Sequence, residues 1–134
     1  MNVFQATRAS AIHRAEKHLE WEDKSLFRRQ TKHYAFAVTW WTREEAERNT
    51  GRSYSDDDYY RLDFVGDLPP NLREHAENIM QPYTHLMNEL NLSPDTQQLL
   101  RKMTQGMQNG LFMVSGLMEE FQNLGIDPDG WTPL

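Results

Sequence analysis

Histidines and clustered acids are the residues of this chain with ligand chemistry. His13 and Glu16 stand three apart, and His85 and Glu89 four apart. On a helix each pair shares a face, and imidazole with carboxylate is a transition-metal donor set. A carboxylate-bridged di-metal bundle needs Glu-x-x-His motifs facing inward from several helices. No Glu-x-x-His occurs in this chain. Asp56-Asp57-Asp58 and Asp127-x-Asp129-Gly130 are rich in oxygen. Neither has the alternating acids, central Gly and terminal Glu of a calcium loop. Pro128 and Gly130 make the second set a turn. There is no cysteine, which removes disulfides, thiolate ligands and Cys nucleophiles. There is no Gly-x-Ser-x-Gly and no Gly-rich phosphate loop. The sequence therefore predicts no catalytic residue, no metal site and no cofactor.

Binding chemistry is better represented. Residues 1–52 carry ten Lys/Arg against seven Asp/Glu, and residues 53–134 carry four against thirteen. The halves are therefore +3 and −9, within a net charge of −6. The basic half also holds Trp21, Trp40 and Trp41. Arg14, Lys17, Lys24, Arg28, Arg29 and Lys32 form a ribbon if that half is helical, and Lys and Arg neutralise phosphates. Glu16, Glu20, Glu22 and Asp23 interrupt it. The acidity of the whole chain argues against a free-standing nucleic-acid binder. A subunit inside a larger nucleoprotein assembly needs less charge of its own. Met80, Met87, Met103, Met107, Met113 and Met118 suit an adaptable apolar surface or an ordinary helical core.

The elements that must position these groups read as helices. Ala6, Ala9, Ile12 and Leu19 recur near helical spacing over residues 5–22. Residues 33–41 are aromatic and β-branched enough for a strand, yet Tyr34, Ala37, Val38 and Trp41 also fit helical spacing. Helical patterns on both flanks favour helix. Thr42-Arg43-Glu44-Glu45 has capping-box spacing and predicts a short helix ending near Asn49-Thr50-Gly51. An irregular loop is expected over about 50–68. Pro69-Pro70 opens a helix to about Leu90, kinked at Pro82. Ser93-Pro94-Asp95 starts another to about residue 124. Within it Leu111-Phe112-Met113-Val114 is apolar on every side, which predicts burial all round. Gly106-x-x-x-Gly110 permits close helix approach or self-association. Trp131, after the 127–130 turn, is expected to fold the tail back.

The length of 134 residues fits one domain. Aromatics at 11%, with four Trp, argue against disorder. A mean hydropathy of −0.81 makes the chain polar for its size. No stretch approaches a membrane span, and the lack of cysteine fits the cytoplasm. The fold expected is all-α: a four- to five-helix antiparallel bundle over 1–134, with two long C-terminal helices and an irregular mid-chain loop. The function expected is that of a non-catalytic interaction protein, a small soluble subunit, adaptor or inhibitor. It would bind a protein partner through Trp21, Trp40, Trp41, Tyr59 and Tyr60. The alternative is a nucleoprotein-assembly subunit that contacts nucleic-acid backbone through the basic half. A third reading is an enzyme whose site is built by the fold rather than by a motif.

Overall fold

The computed structural model describes residues 1–24, 29–74, 93–96 and 111–134. Within them the main element is an antiparallel sheet, not a helical bundle. Helix α1 (Val3–Ala9) is followed by β1 (Arg14–Asp23), β2 (Gln30–Thr42), α2 (Arg43–Thr50) and β3 (Asp58–Gly66). Then come β4 (Leu111–Phe112), α3 (Val114–Leu124) and β5 (Thr132–Pro133). The strands of the described residues lie in the order β4-β3-β2-β1-β5.

The all-α expectation is overturned by a period of two. In β1 Arg14, Glu16, His18, Glu20 and Glu22 alternate with Ala15, Lys17, Leu19 and Trp21. In β3 Tyr60, Leu62 and Phe64 alternate with Arg61 and Asp63. Successive strand side chains point to opposite faces, so this pattern gives one apolar and one charged face. Register keeps the faces sorted. Ala15 lies opposite Val38, and Lys17 opposite Phe36. Val38 in turn lies opposite Leu62, and Phe36 opposite Phe64.

The helix expected over 5–22 stops early. Asn2 and Gln5 form a capping box at its start. At its end the Ser10 hydroxyl accepts from the Ile12 and Arg14 amides, both at 3.2 Å, and donates to the Leu134 carbonyl at 2.6 Å. A side chain that satisfies the backbone locally competes with helix continuation. His13 then adopts φ 55°, and β1 begins. The capping box at Thr42 does start α2, which ends on Gly51 at φ 72°. The loop expected over 50–68 contains the whole of β3 instead.

The 94–124 helix is not continuous either. Residues 94–96 are helical, but Leu111–Phe112 is extended and pairs with Tyr60 and Arg61 of β3. Met113 stays extended at ψ 168°, and α3 starts after it. Residues 70–74 are helical, as Pro69-Pro70 predicts. The remainder of both expected long helices lies outside the described residues, with Pro82, Gly106-x-x-x-Gly110, Met80, Met87, Met103, Met107, His75 and His85.

One core forms on the apolar side of the sheet. Val3 and Ala6 of α1, Leu117 and Phe121 of α3, and Ile126 and Trp131 pack with Phe36, Val38, Tyr60 and Leu62. Trp131 folds back as expected and stacks on Phe121, with ring centroids 5.5 Å apart and planes 8° from parallel. Its indole N–H donates to the Asp127 carbonyl at 3.0 Å. A buried indole needs such a partner. Among the described residues no helix is long and apolar enough to cross a membrane.

Candidate interaction cleft

Two segments that are distant in sequence meet beside β3. The link from α2 brings Ser53, Tyr54 and Ser55 past the start of β3, where Tyr59 is seated. Pairing of β4 with β3 brings Leu111, Phe112 and Met113 to the same place, and α3 adds Gly116. Together these residues line a cavity of about 450 Å³. That is the size range of ligand and side-chain pockets. Met113 and Val114, at the turn from strand to helix, are each 47% exposed. This corrects the all-round burial expected of Leu111–Val114.

Local chemistry holds the cleft open. The Tyr54 and Tyr59 rings lie 4.7 Å apart. The Tyr59 hydroxyl accepts from the Asp56 amide at 2.9 Å, and Glu47 accepts from the Tyr54 amide at 3.1 Å. The Tyr54 hydroxyl is buried with no hydrogen-bond partner among the described residues. Gly116 faces Phe112: a Cβ built there would meet that ring at 3.6 Å, an ordinary contact. A methyl at Gly116 therefore fits, and a longer side chain there would enter the cleft that Gly116 lines.

The other face of the sheet carries a closed ionic network. Glu16 and Asp63 flank Ala37 across the central strand. Arg14 reaches both, at 3.9 Å from Glu16 and 3.6 Å from Asp63, and donates to the Thr39 hydroxyl at 3.0 Å. Arg61 donates to Asp63 at 3.1 Å and lies 5.7 Å from the Trp41 ring centroid. His18 takes the second Glu16 oxygen at 2.9 Å. Each of the four carboxylate oxygens thus has a basic nitrogen beside it. The arrangement neutralises a charged surface. His13 packs edge-on to Trp40 at 4.8 Å, and Arg14 to Glu16 are extended, so the shared helical face expected of His13 and Glu16 does not form. No group of three or more His, Cys, Asp or Glu is placed to hold a metal ion among the described residues.

The residues expected to contact a partner are spread over the fold. Tyr59 lines the cleft, but Tyr60 is 1% exposed beneath Phe4 and offers no surface. Trp40 is half-buried, donates to Asp58 at 2.8 Å and carries the Arg8 guanidinium 4.8 Å from its ring centroid. Trp41 lies on the charged face beside Arg61. Trp21 is half-buried near the other end of the sheet and donates to the Asp67 carbonyl at 2.7 Å.

The basic ribbon is divided by the same alternation. Arg14 points to the charged face, whereas Lys17 points to the core side and donates to the Asp129 carbonyl at 2.7 Å. Lys24, Arg29 and Lys32 lie around the β1–β2 connection, and Arg28 lies outside the described residues. Sequence reasoning missed Ser53, Tyr54, Leu111, Phe112 and Gly116 as a group. The usable signal was Gly116, a residue unfavourable inside a helix unless something needs the space. Compared with protein families, with curated proteins and with solved structures, the chain matches none.

Proposed function

We propose that this chain is a non-catalytic interaction protein that binds a protein partner through the cleft between residues 53–59 and 111–116. The observation that carries the reading is the cavity of about 450 Å³, lined by two tyrosines, Leu111, Phe112 and Met113. Exposed Met113 and Val114 adjoin it. Aromatic and Met side chains around a concavity are the composition of an interface centre. The ionic network on the charged face of the sheet is internally neutralised, which suits a scaffold more than a reaction centre. A cytoplasmic setting goes with this reading, since the chain has no cysteine.

The test is affinity purification of the full chain with two variants alongside. Gly116→Leu fills the cleft without charge and improves the helix. Lys24→Glu, Arg29→Glu and Lys32→Glu together reverse the cations around the β1–β2 connection. The reading expects a protein retained by wild type and by the charge-reversal variant, and lost with Gly116→Leu. Loss with the charge reversal alone, together with nuclease-sensitive nucleic acid in the wild-type sample, would transfer the function to the nucleoprotein alternative.

A further inference from the structure

Beyond Glu16 the outer edge of β1 has no strand beside it among the described residues. The Trp40 amide donates to the His13 carbonyl at 2.8 Å, and the Leu134 amide to the Arg14 carbonyl at 2.9 Å. In an antiparallel sheet the backbone groups of successive residues point alternately to one neighbouring strand and the other. Odd-numbered residues of β1 therefore bond to β2, and even-numbered ones point outward. Thr132 pairs with Glu16, and the pairing of β5 with β1 ends there. The outward N–H and C=O groups of His18, Glu20 and Glu22 are left without a backbone partner among the described residues. All three residues are exposed. The His18 side chain is 71% exposed and that of Glu20 65%. An edge of this kind is a template for another strand.

We infer that a second copy of this chain pairs with this edge, antiparallel, about a two-fold axis at Glu20. The run Lys17-His18-Leu19-Glu20-Trp21-Glu22-Asp23 is complementary to itself when reversed about its centre. His18 then stands opposite Glu22, Leu19 opposite Trp21 and Lys17 opposite Asp23, and the two-fold makes each pair occur twice. His18 and Glu22 share the charged face, and Leu19 and Trp21 the apolar face, so both faces of the sheet continue across the axis. The Trp21 indole is drawn inward by the Asp67 carbonyl at 2.7 Å, which leaves the edge open to Leu19 of the second copy. Each outward pair exchanges two backbone hydrogen bonds. The neighbouring registers are worse. An axis at Leu19 sets Glu22 against Glu16, whose outward groups Thr132 already occupies. An axis at Trp21 sets Glu20 against Glu22 twice, and like charges directly opposite are destabilising. About Glu20 the single like pair is Glu20 with itself, with His33 3.5 Å away on β2. That pair keeps the association weak and reversible. The cleft lies at the opposite edge of the sheet, beside β3 and β4, so the pairing does not depend on it.

The absence of cysteine makes the register directly testable in the full chain. Across a hydrogen-bonded antiparallel pair the Cα atoms are about 5.5 Å apart, a separation that a disulfide spans. Glu20→Cys should therefore cross-link to a dimer under mild oxidation. Glu22→Cys should not, because that position faces His18 of the second copy rather than its own equivalent. Sedimentation of the unsubstituted chain up to about 1 mM should show a reversible monomer–dimer equilibrium. Glu20→Thr removes the like pair and should tighten the dimer about threefold. Glu20→Pro removes an outward donor and no bond of the β1–β2 ladder, a position where an edge strand tolerates proline. Its circular dichroism should be unchanged and its dimer lost. A chain that stays monomeric at about 1 mM, or a dimer that survives Glu20→Pro, would overturn the inference. Cross-linking of Glu22→Cys as fast as that of Glu20→Cys would overturn the pairing about Glu20. If Glu20→Pro fails to fold, the two cysteine variants still decide between these outcomes.

Discussion

Truncating Phe36 and Trp41 in parallel separates the two-faced sheet from any helical arrangement of residues 33–41. Phe36 is 2% exposed on the core face. Its ring makes edge contacts with Tyr34 at 5.7 Å and with Phe64 at 5.4 Å. A buried Phe→Ala change costs about 3–5 kcal/mol. Two edge-to-face pairs, each worth ~0.5–1.5 kcal/mol beyond area, place this site at about 4 kcal/mol. For a domain of this size that is a fall in thermal midpoint of roughly 15 °C. Trp41 is half-buried on the charged face, with the Arg61 guanidinium 5.7 Å from its ring centroid. A contact of that kind contributes about 0.5–1 kcal/mol, and truncation should cost little more than 1. Helical spacing would reverse the order, since it places Trp41 with Tyr34, Ala37 and Val38 on the inward stripe and turns Phe36 away. Urea denaturation of Phe36→Ala and Trp41→Ala, followed by far-UV circular dichroism, reads the difference. A Trp41 variant that loses more stability than the Phe36 variant would refute the reasoning.

The other expected outcomes are local. Tyr54→Phe removes a buried hydroxyl that has no partner among the described residues, so it should raise stability by about 1 kcal/mol in a thermal melt; a loss of that size would mean the hydroxyl is bonded. Gly66→Ala should cost about 2–3 kcal/mol, because Gly66 sits at φ +89° and the new Cβ would stand 2.7 Å from the His33 carbonyl oxygen. Gly125→Ala, at φ +68° with nothing within 4 Å, should cost only about 1; equal costs would mean that the β2–β3 edge yields. Burial pushes the Tyr34 phenol above its ordinary value of 10.0. Between that value and the raised one the folded chain holds a proton that the unfolded chain has released. Stability is therefore fully present below the ordinary value and falls as pH climbs through the raised one; a Tyr34→Phe variant with the same alkaline loss would exclude this phenol as its source.

Parts of this structure are written plainly in the sequence. Thr42-Arg43-Glu44-Glu45 names the start of α2, and Gly51 names its end. Pro69-Pro70 opens a helical turn, and Asp127-Pro128-Asp129-Gly130 turns Trp131 into the core. The strands were legible too, in the alternation of residues 14–23, but Ala6, Ala9, Ile12 and Leu19 extend the helical spacing of α1 into that stretch. Short windows that satisfy both periods are decided by tertiary contacts, here the burial of Ala15, Phe36 and Leu62 against α1 and α3. Lys17 hides the alternation further, because it occupies an apolar-face position and is held there by the carbonyls of residues 127 and 129. The cleft was the least legible feature. Its walls come from residues about sixty apart, and the pairing of β4 with β3 that joins them depends on two residues that also look helical. Arg14 and Lys17 do not share the face that helical spacing gave them, since alternation sends them to opposite faces of the sheet.

The most direct test is hydrogen exchange on the full chain with and without the protein whose capture depends on Gly116. Binding at the cleft should protect the backbone amides of residues 53–59 and 111–116, where exchange reports local opening and contact. The amides of residues 29–33 at the start of β2 should be unchanged. Protection confined to residues 29–33, with 111–116 exchanging as in the free chain, would contradict the account.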